Sequence, residues 1–158
     1  MEKTNVMRIL EQKNIPYTAH TYPHEEGVAV DGVTVAQAMG QDPECVFKTL
    51  VARGASKAVY VFAIPVADTL DLKKAARAAG EKSIEMVHVK EINALTGYIR
   101  GGCSPVGMKK AYPTFFHETA EIVDRIAVSA GKIGFQVELD PADLLALTGG
   151  ALADLTVA

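Results

Sequence analysis

The sequence predicts an α+β fold in which a mixed, mainly antiparallel, barrel-like sheet is surrounded by helices. Three observations lead there. Strand-like runs outnumber helical ones, short turn-forming segments at hairpin spacing separate several of them, and the chain shows neither an internal repeat nor a low-complexity stretch.

Residues 2–14 place Val6, Met7 and Leu10 on one stripe and end before Pro16, the pattern of an amphipathic helix. Tyr17 to Tyr22 reads as extended. Thr34 is the expected cap of a short helix running through Met39, with Gly40 as its stop and a turn starting at Pro43. Cys45–Ala52 and Ala58–Ile64 read as strands, and Arg53, Gly54, Ala55 and Ser56 between them suit an antiparallel hairpin.

Asp68 or Thr69 is expected to cap a helix over residues 71–79, with Leu72, Ala75, Ala76 and Ala79 on one face and Gly80 as the stop. Ser83–Val89 is a short strand candidate and Lys90–Leu95 a helical turn or two. Arg125–Ser129 and Gly134–Leu139 flank a turn at Ala130, Gly131 and Lys132. Asp140 then reads as an N-cap and Pro141 as the first residue of a last helix, Ala142–Leu147.

Bulk properties bound the function. At 158 residues the chain is read as one domain, 1–158, and 49% hydrophobic residues with a mean hydropathy of +0.13 exclude a disordered chain. The longest apolar runs are too short to span a bilayer and the N-terminus shows no export signature, so a cytoplasmic location without membrane association is expected. Two cysteines far apart, Cys45 and Cys103, make a disulfide framework or a CxxC metal site improbable, and His20 and His24 lie in an extended stretch broken by Pro23, so no metal or other cofactor is expected. A net charge of −3 argues against broad attraction to nucleic acid, DNA included. Lys73, Lys74, Arg77, Lys82, Lys109 and Lys110 form either a local basic patch or ordinary solvated faces.

Two features carry chemistry. Residues 97–110, GYIRGGCSPVGMKK, bring closely spaced glycines together with a small polar pair and two lysines. Gly101 and Gly102 either present bare N–H groups to an oxyanion, phosphate or ribose, or simply form a tight turn. Lys48 sits in a strand whose two faces are mainly apolar, so its ammonium either snorkels from an edge strand or faces a polar cavity. Tyr22 and Phe47 could stack on a base or fill the core, and Cys103 and Ser104 could be nucleophiles or loop-packing residues.

Lys48 within VFKTLV, then LDLKKAA, GYIRGGCSPVGMKK and VSAGKIGFQVEL occur in that order. Together they resemble the YbaK/ProX-type aminoacyl-tRNA editing family, in particular its YbaK/EbsC branch, over about His20 to Asp154. The resemblance implies a trans-editing deacylase that removes cysteine from mischarged Cys-tRNA(Pro), with mischarged tRNA as partner; family members can act beside prolyl-tRNA synthetase. By position it implies Lys48 as the essential pocket lysine and Thr49 as its neighbour. Tyr22 matches a family tyrosine, Gly101 the pocket glycine and Ser129 a serine of the last block. Ala130 and Ile133 depart from a glycine and an arginine frequent in relatives.

An aminoacyl ester is already activated, so positioning and stabilisation of an oxyanion by the Gly101 and Gly102 N–H groups would suffice. In the family, the cysteine's own thiol is thought to attack the ester carbonyl. Two other readings remain open at this point: a deacylase for another residue, such as alanine on tRNA(Pro), and a non-catalytic module that binds an RNA end or a protein.

Overall fold

The computed structural model describes residues 2–158. Helix α1 (Asn5–Gln12) buries Val6, Met7 and Leu10, and begins where the Thr4 side chain accepts a hydrogen bond from the Met7 N–H at 3.3 Å. Strand β1 (Tyr17–Thr21) follows Pro16. Helix α2 (Gly32–Ala38) is capped by Asp31, not Thr34. Thr34 fails as a cap because its own N–H and hydroxyl are donors to the Asp31 carboxylate.

Strands β2 (Phe47–Gly54) and β3 (Val59–Pro65) form the expected hairpin, with Lys48 opposite Ile64 and Thr49 opposite Ala63. Both start later than the alternation suggests, and Arg53 and Gly54 belong to β2. Cys45 is held in a turn by its N–H bond to the Asp42 carbonyl at 2.9 Å.

Helix α3 (Leu72–Ala79) is capped by Asp71, neither Asp68 nor Thr69: Asp71 accepts from the Lys73 and Lys74 N–H groups at 3.0 and 3.1 Å. Strand β4 (Ile84–Met86) is shorter than expected, because helix α4 (Val89–Thr96) starts early, where Glu91 reaches back to the His88 N–H at 3.0 Å.

Strand β5 (Thr114–His117) leads through a 3-10 turn at Glu118–Glu121 to β6 (Ile126–Ser129) and β7 (Phe135–Leu139). Helix α5 (Pro141–Thr148), capped by Asp140, precedes β8 (Ala151–Ala153).

The fold is α+β, with the strands divided between two sheets that do not close into a barrel: β1-β7-β6, and β4-β2-β3-β5-β8. Pairing is antiparallel except where β5 lies parallel to β3 and β8 parallel to β5. These two parallel partners went unread in the sequence, since strands of three or four residues show little periodicity.

A seam joins the sheets just before β2. The Ala127 N–H donates to the Cys45 carbonyl at 2.9 Å, and the Val66 N–H to the Val46 carbonyl at 2.8 Å. One core, with Phe47, Phe116, Ile126 and Leu144, fills the space under α1 and α5; a second, with Phe62, Ile64, Ala75 and Leu155, lies under α3. The start of β2 is thereby fixed from both sides.

The cap assignment is testable by urea denaturation. Asp71→Ala should lower stability by about 1 kcal/mol, the usual cost of a lost aspartate cap. Asp68→Ala should cost clearly less. Equal losses would contradict the assignment.

Candidate functional site

A cleft of about 450 Å³ opens beside the seam. Its floor carries Lys48 and Thr49 from β2, Ser129 from the end of β6 and Gln136 from β7; Tyr22, just past β1, and the loop at Arg100–Gly101 enclose it, and the Ala29–Gly32 segment covers one side. The β6–β7 register sets Ser129 opposite Gln136.

Lys48 is partly buried, and among the described residues it makes no ion pair or hydrogen bond. Loss of water around the ammonium pulls its pKa below the ordinary lysine value of 10.5, and the negative charge of Asp68 pulls weakly the other way. The ammonium is thus held in the cleft without a partner at contact distance. Burial also raises the pKa of Tyr22, which is only 5% exposed.

Two further polar atoms of cleft-lining residues lack partners. Thr49 Oγ1 and Gln136 Oε1 are buried and accept or donate no hydrogen bond among the described residues, and Gln136 is 7% exposed. Leaving such a group unsatisfied costs about 1–3 kcal/mol, so their convergence on one cleft beside a lone ammonium marks it as a place for a polar ligand. Gln136 escaped the sequence reading because GFQVEL looks like an ordinary alternating strand. The signal was the hairpin register, which sets it across from Ser129.

The glycines divide. Gly101 lines the cleft at φ +86°, and its N–H takes no partner among the described residues. Gly102 does not line it: its N–H donates to the Ile99 carbonyl at 2.9 Å, so it is not free for an oxyanion. Its missing side chain serves packing, since a Cβ there would stand 3.1 Å from the Ile133 nitrogen.

Of the remaining candidates, Ser129 Oγ accepts from the Gly131 N–H at 3.1 Å, which shapes the β6–β7 turn at the cleft edge. Cys103 reaches the cleft, but burial pushes its thiol to about 11, so it is protonated at neutral pH; Ser104 is fully buried and outside the cleft, its hydroxyl accepting from the Val106 N–H. Phe47 is buried in the core, though it borders the cleft.

Neither histidine joins a metal cluster among the described residues: His20 faces Glu138 at 3.0 Å, and His24 Nδ1 lies 3.1 Å from the Tyr22 carbonyl. Nor do the lysines form one patch. Lys74 bonds Asp154 and the Thr156 carbonyl, Lys109 bonds the Ala94 carbonyl, and Lys110 lies at a separate small hollow. Arg100 is the second cation bordering the cleft. Among the described residues no helix is long and apolar enough to cross a membrane.

Residues 27–147 match the model of a family described as the aminoacyl-tRNA editing domain. The chain is 46% identical over 155 residues to an Enterococcus faecalis protein named "Putative Cys-tRNA(Pro)/Cys-tRNA(Cys) deacylase EbsC", covering 98% of this chain and 94% of the relative. Among solved structures it is similar to a "putative trans-editing enzyme for prolyl tRNA synthetase", at 26% identity and a TM-score of 0.83 over the whole of both chains. A further crystal structure, of "hypothetical protein APE2540", shares the fold at 20% identity, with a TM-score of 0.85 over 98% of this chain and 100% of that one.

The polar strain in the cleft can be measured. Thr49→Val, Gln136→Leu and Lys48→Met each remove an unpartnered polar atom at nearly constant volume, so each should leave the urea midpoint unchanged or raise it. A loss above about 1 kcal/mol in all three would mean that these atoms have partners in solution.

Proposed function

The chain belongs to the aminoacyl-tRNA editing domain family, and from that membership we propose that it deacylates mischarged tRNA in trans, with Cys-tRNA(Pro) as its main substrate. The observation that carries this reading is the cleft itself: an unpaired Lys48 ammonium, the unengaged Gly101 N–H and the free polar atoms of Thr49 and Gln136, all beside one cavity.

The donor set favours a substrate that brings its own nucleophile. Among the described residues lining the cleft there is no histidine. The carboxylate of Asp31 is engaged by the Thr34 hydroxyl and N–H, which hold its pKa below the ordinary range and make it a poor base. The Cys103 thiol is protonated. In the proposed reaction the cysteinyl thiol loses its proton and its sulfur attacks the ester carbonyl carbon. The C–O bond to the terminal ribose breaks, the ribose oxygen takes up a proton, and a cyclic thiolactone leaves.

Lys48 acts by position and charge. Its ammonium favours the thiolate and the oxyanion that follows, while the Gly101 N–H donates to that oxyanion. Tyr22, Thr49, Ser129 and Gln136 surround the aminoacyl group and terminal ribose. Gly102 holds the loop in place instead of binding substrate. Prolyl-tRNA synthetase is the expected neighbour in the cell, supplying the mischarged tRNA. With a net charge of −3 the chain has no overall attraction for the rest of a tRNA.

A deacylation panel tests the reading. Cysteinyl-tRNA(Pro) should be deacylated faster than the alanyl and seryl esters, and Lys48→Ala should lose roughly a hundredfold or more, comparable to loss of one oxyanion-stabilising group. Faster alanyl hydrolysis would shift the substrate assignment to the water-dependent alternative. Binding without turnover of any ester would leave only the non-catalytic module.

The pH profile checks the role of the charge. Because burial lowers the Lys48 pKa and the active form is the ammonium, the rate, corrected for spontaneous reaction, should fall as pH rises, with the fall setting in below 10.5. Asp68→Asn removes the neighbour that favours the ammonium, so the decline should move to still lower pH. A decline unmoved by Asp68→Asn, or absent, would contradict catalysis by the ammonium.

A further inference from the structure

A second groove, of about 360 Å³, lies beside the cleft and has no part in the chemistry above. It is built from the same chain segments, shifted by two residues. Where Tyr22 lines the cleft, His24 lines the groove; Gly27 stands in place of Ala29, Ile99 of Gly101, and Gly131 of Ser129. At the wall between the two cavities, Gly102, which follows the cleft-lining Gly101, packs against the backbone of groove-lining Lys132 and Ile133, where an added Cβ would stand 3.1 Å from the Ile133 nitrogen.

The groove's lining is suited to a flat, partly polar group. Ile99 is 48% exposed, and Tyr98, its hydroxyl committed to the Val106 carbonyl at 2.5 Å and its ring partly packed on the core, lines the groove beside it. A cation stands at each side of the dividing wall. Arg100 borders the cleft, and among the described residues it makes no ion pair; Lys132 borders the groove. Lys132 is held by Glu2 at 2.7 Å and lies 5.4 Å from the Phe135 ring centre, but both charged side chains are about half exposed, and such a pair is worth little in water. Lys132 is therefore available to another anion. One carboxylate, the exposed Glu26, also lines the groove.

Resting on the reading of the cleft as the site for an aminoacylated terminal adenosine, we propose that the groove binds the nucleotide immediately before it. Its base lies against Ile99 and Tyr98, the linking phosphate lies between Arg100 and Lys132, and Glu26 accepts from an exocyclic amino group of the base. Carboxylates accept from the cytosine N4 amino group and repel the carbonyl that uracil carries at the same position. The tRNA 3′ end, CCA, places cytosine there. The groove thus reads the end of the RNA that the cleft cannot see.

The test uses cysteinyl esters of adenosine, of the dinucleotide CpA and of UpA, each assayed for kcat/KM with the full chain. One stacked base is worth about 1–3 kcal/mol, so CpA should exceed adenosine by about tenfold or more, with UpA in between. In Ile99→Asp the ratio of CpA to adenosine should fall towards one, and Glu26→Gln should narrow the difference between CpA and UpA. Lys132→Ala, at an exposed position, provides a second way to lower the CpA-to-adenosine ratio. Equal kcat/KM for adenosine and CpA in the unaltered protein would overturn the groove assignment while leaving the deacylase reading intact, and so would a ratio unchanged in both Ile99→Asp and Lys132→Ala. Failure to deacylate any ester, together with failure on the tRNA panel, would overturn both.

Discussion

The Lys48 ammonium has been moved partly out of water with no anion in contact to compensate, and much of the surrounding architecture acts to keep it there. A lysine side chain is long and flexible, and its easiest escape is to swing outward and be hydrated. Pairing on both edges of β2, with β3 and β4, fixes the strand on which it sits. The seam at Cys45, Val46 and Ala127 fixes the residues just before it against the second sheet. Asp68 supplies enough negative potential to ease the cost without forming a salt bridge. A contact ion pair would have been more stable and less useful, since its charge would already be spent.

The same logic covers the neutral groups. Thr49 Oγ1 and Gln136 Oε1 remain unpartnered on strands that are themselves well paired, so their positions are set by backbone hydrogen bonds and not by side-chain partners. They need no reorganisation when a ligand arrives, which is the condition under which fixed dipoles act most strongly on a reacting group. The cost is borne by the cores on either side, where Phe47, Phe62 and Phe116 are almost fully buried.

The local part of this design was legible in the sequence. Helices α1, α3 and α5 showed their apolar stripes or end signals, and the β2–β3 and β6–β7 hairpins showed paired strands around turn residues. Lys48 stood out because a charge interrupted an apolar strand. What could not be read was the choice among nearby partners. Asp71, Asp68 and Thr69 are all chemically fit to cap α3, and only the backbone geometry selects Asp71. Strands β5 and β8 pair in parallel with residues far away in sequence, so no local turn announces them. Gln136 became a site residue only when the two sheets met over it.

The adjacent glycines show why a glycine-rich motif does not itself assign a function. At Gly101 the positive φ turns the chain, and the N–H remains open beside the cleft. At Gly102 the N–H closes that turn onto Ile99, and the absent side chain lets the loop lie on the Lys132–Ile133 backbone. Each needs the other: without the close approach at Gly102, the loop would lift away, and the Gly101 N–H would have no fixed position relative to Lys48. A side chain at position 102 would therefore displace the loop that carries the Gly101 N–H, although Gly102 itself does not line the cleft.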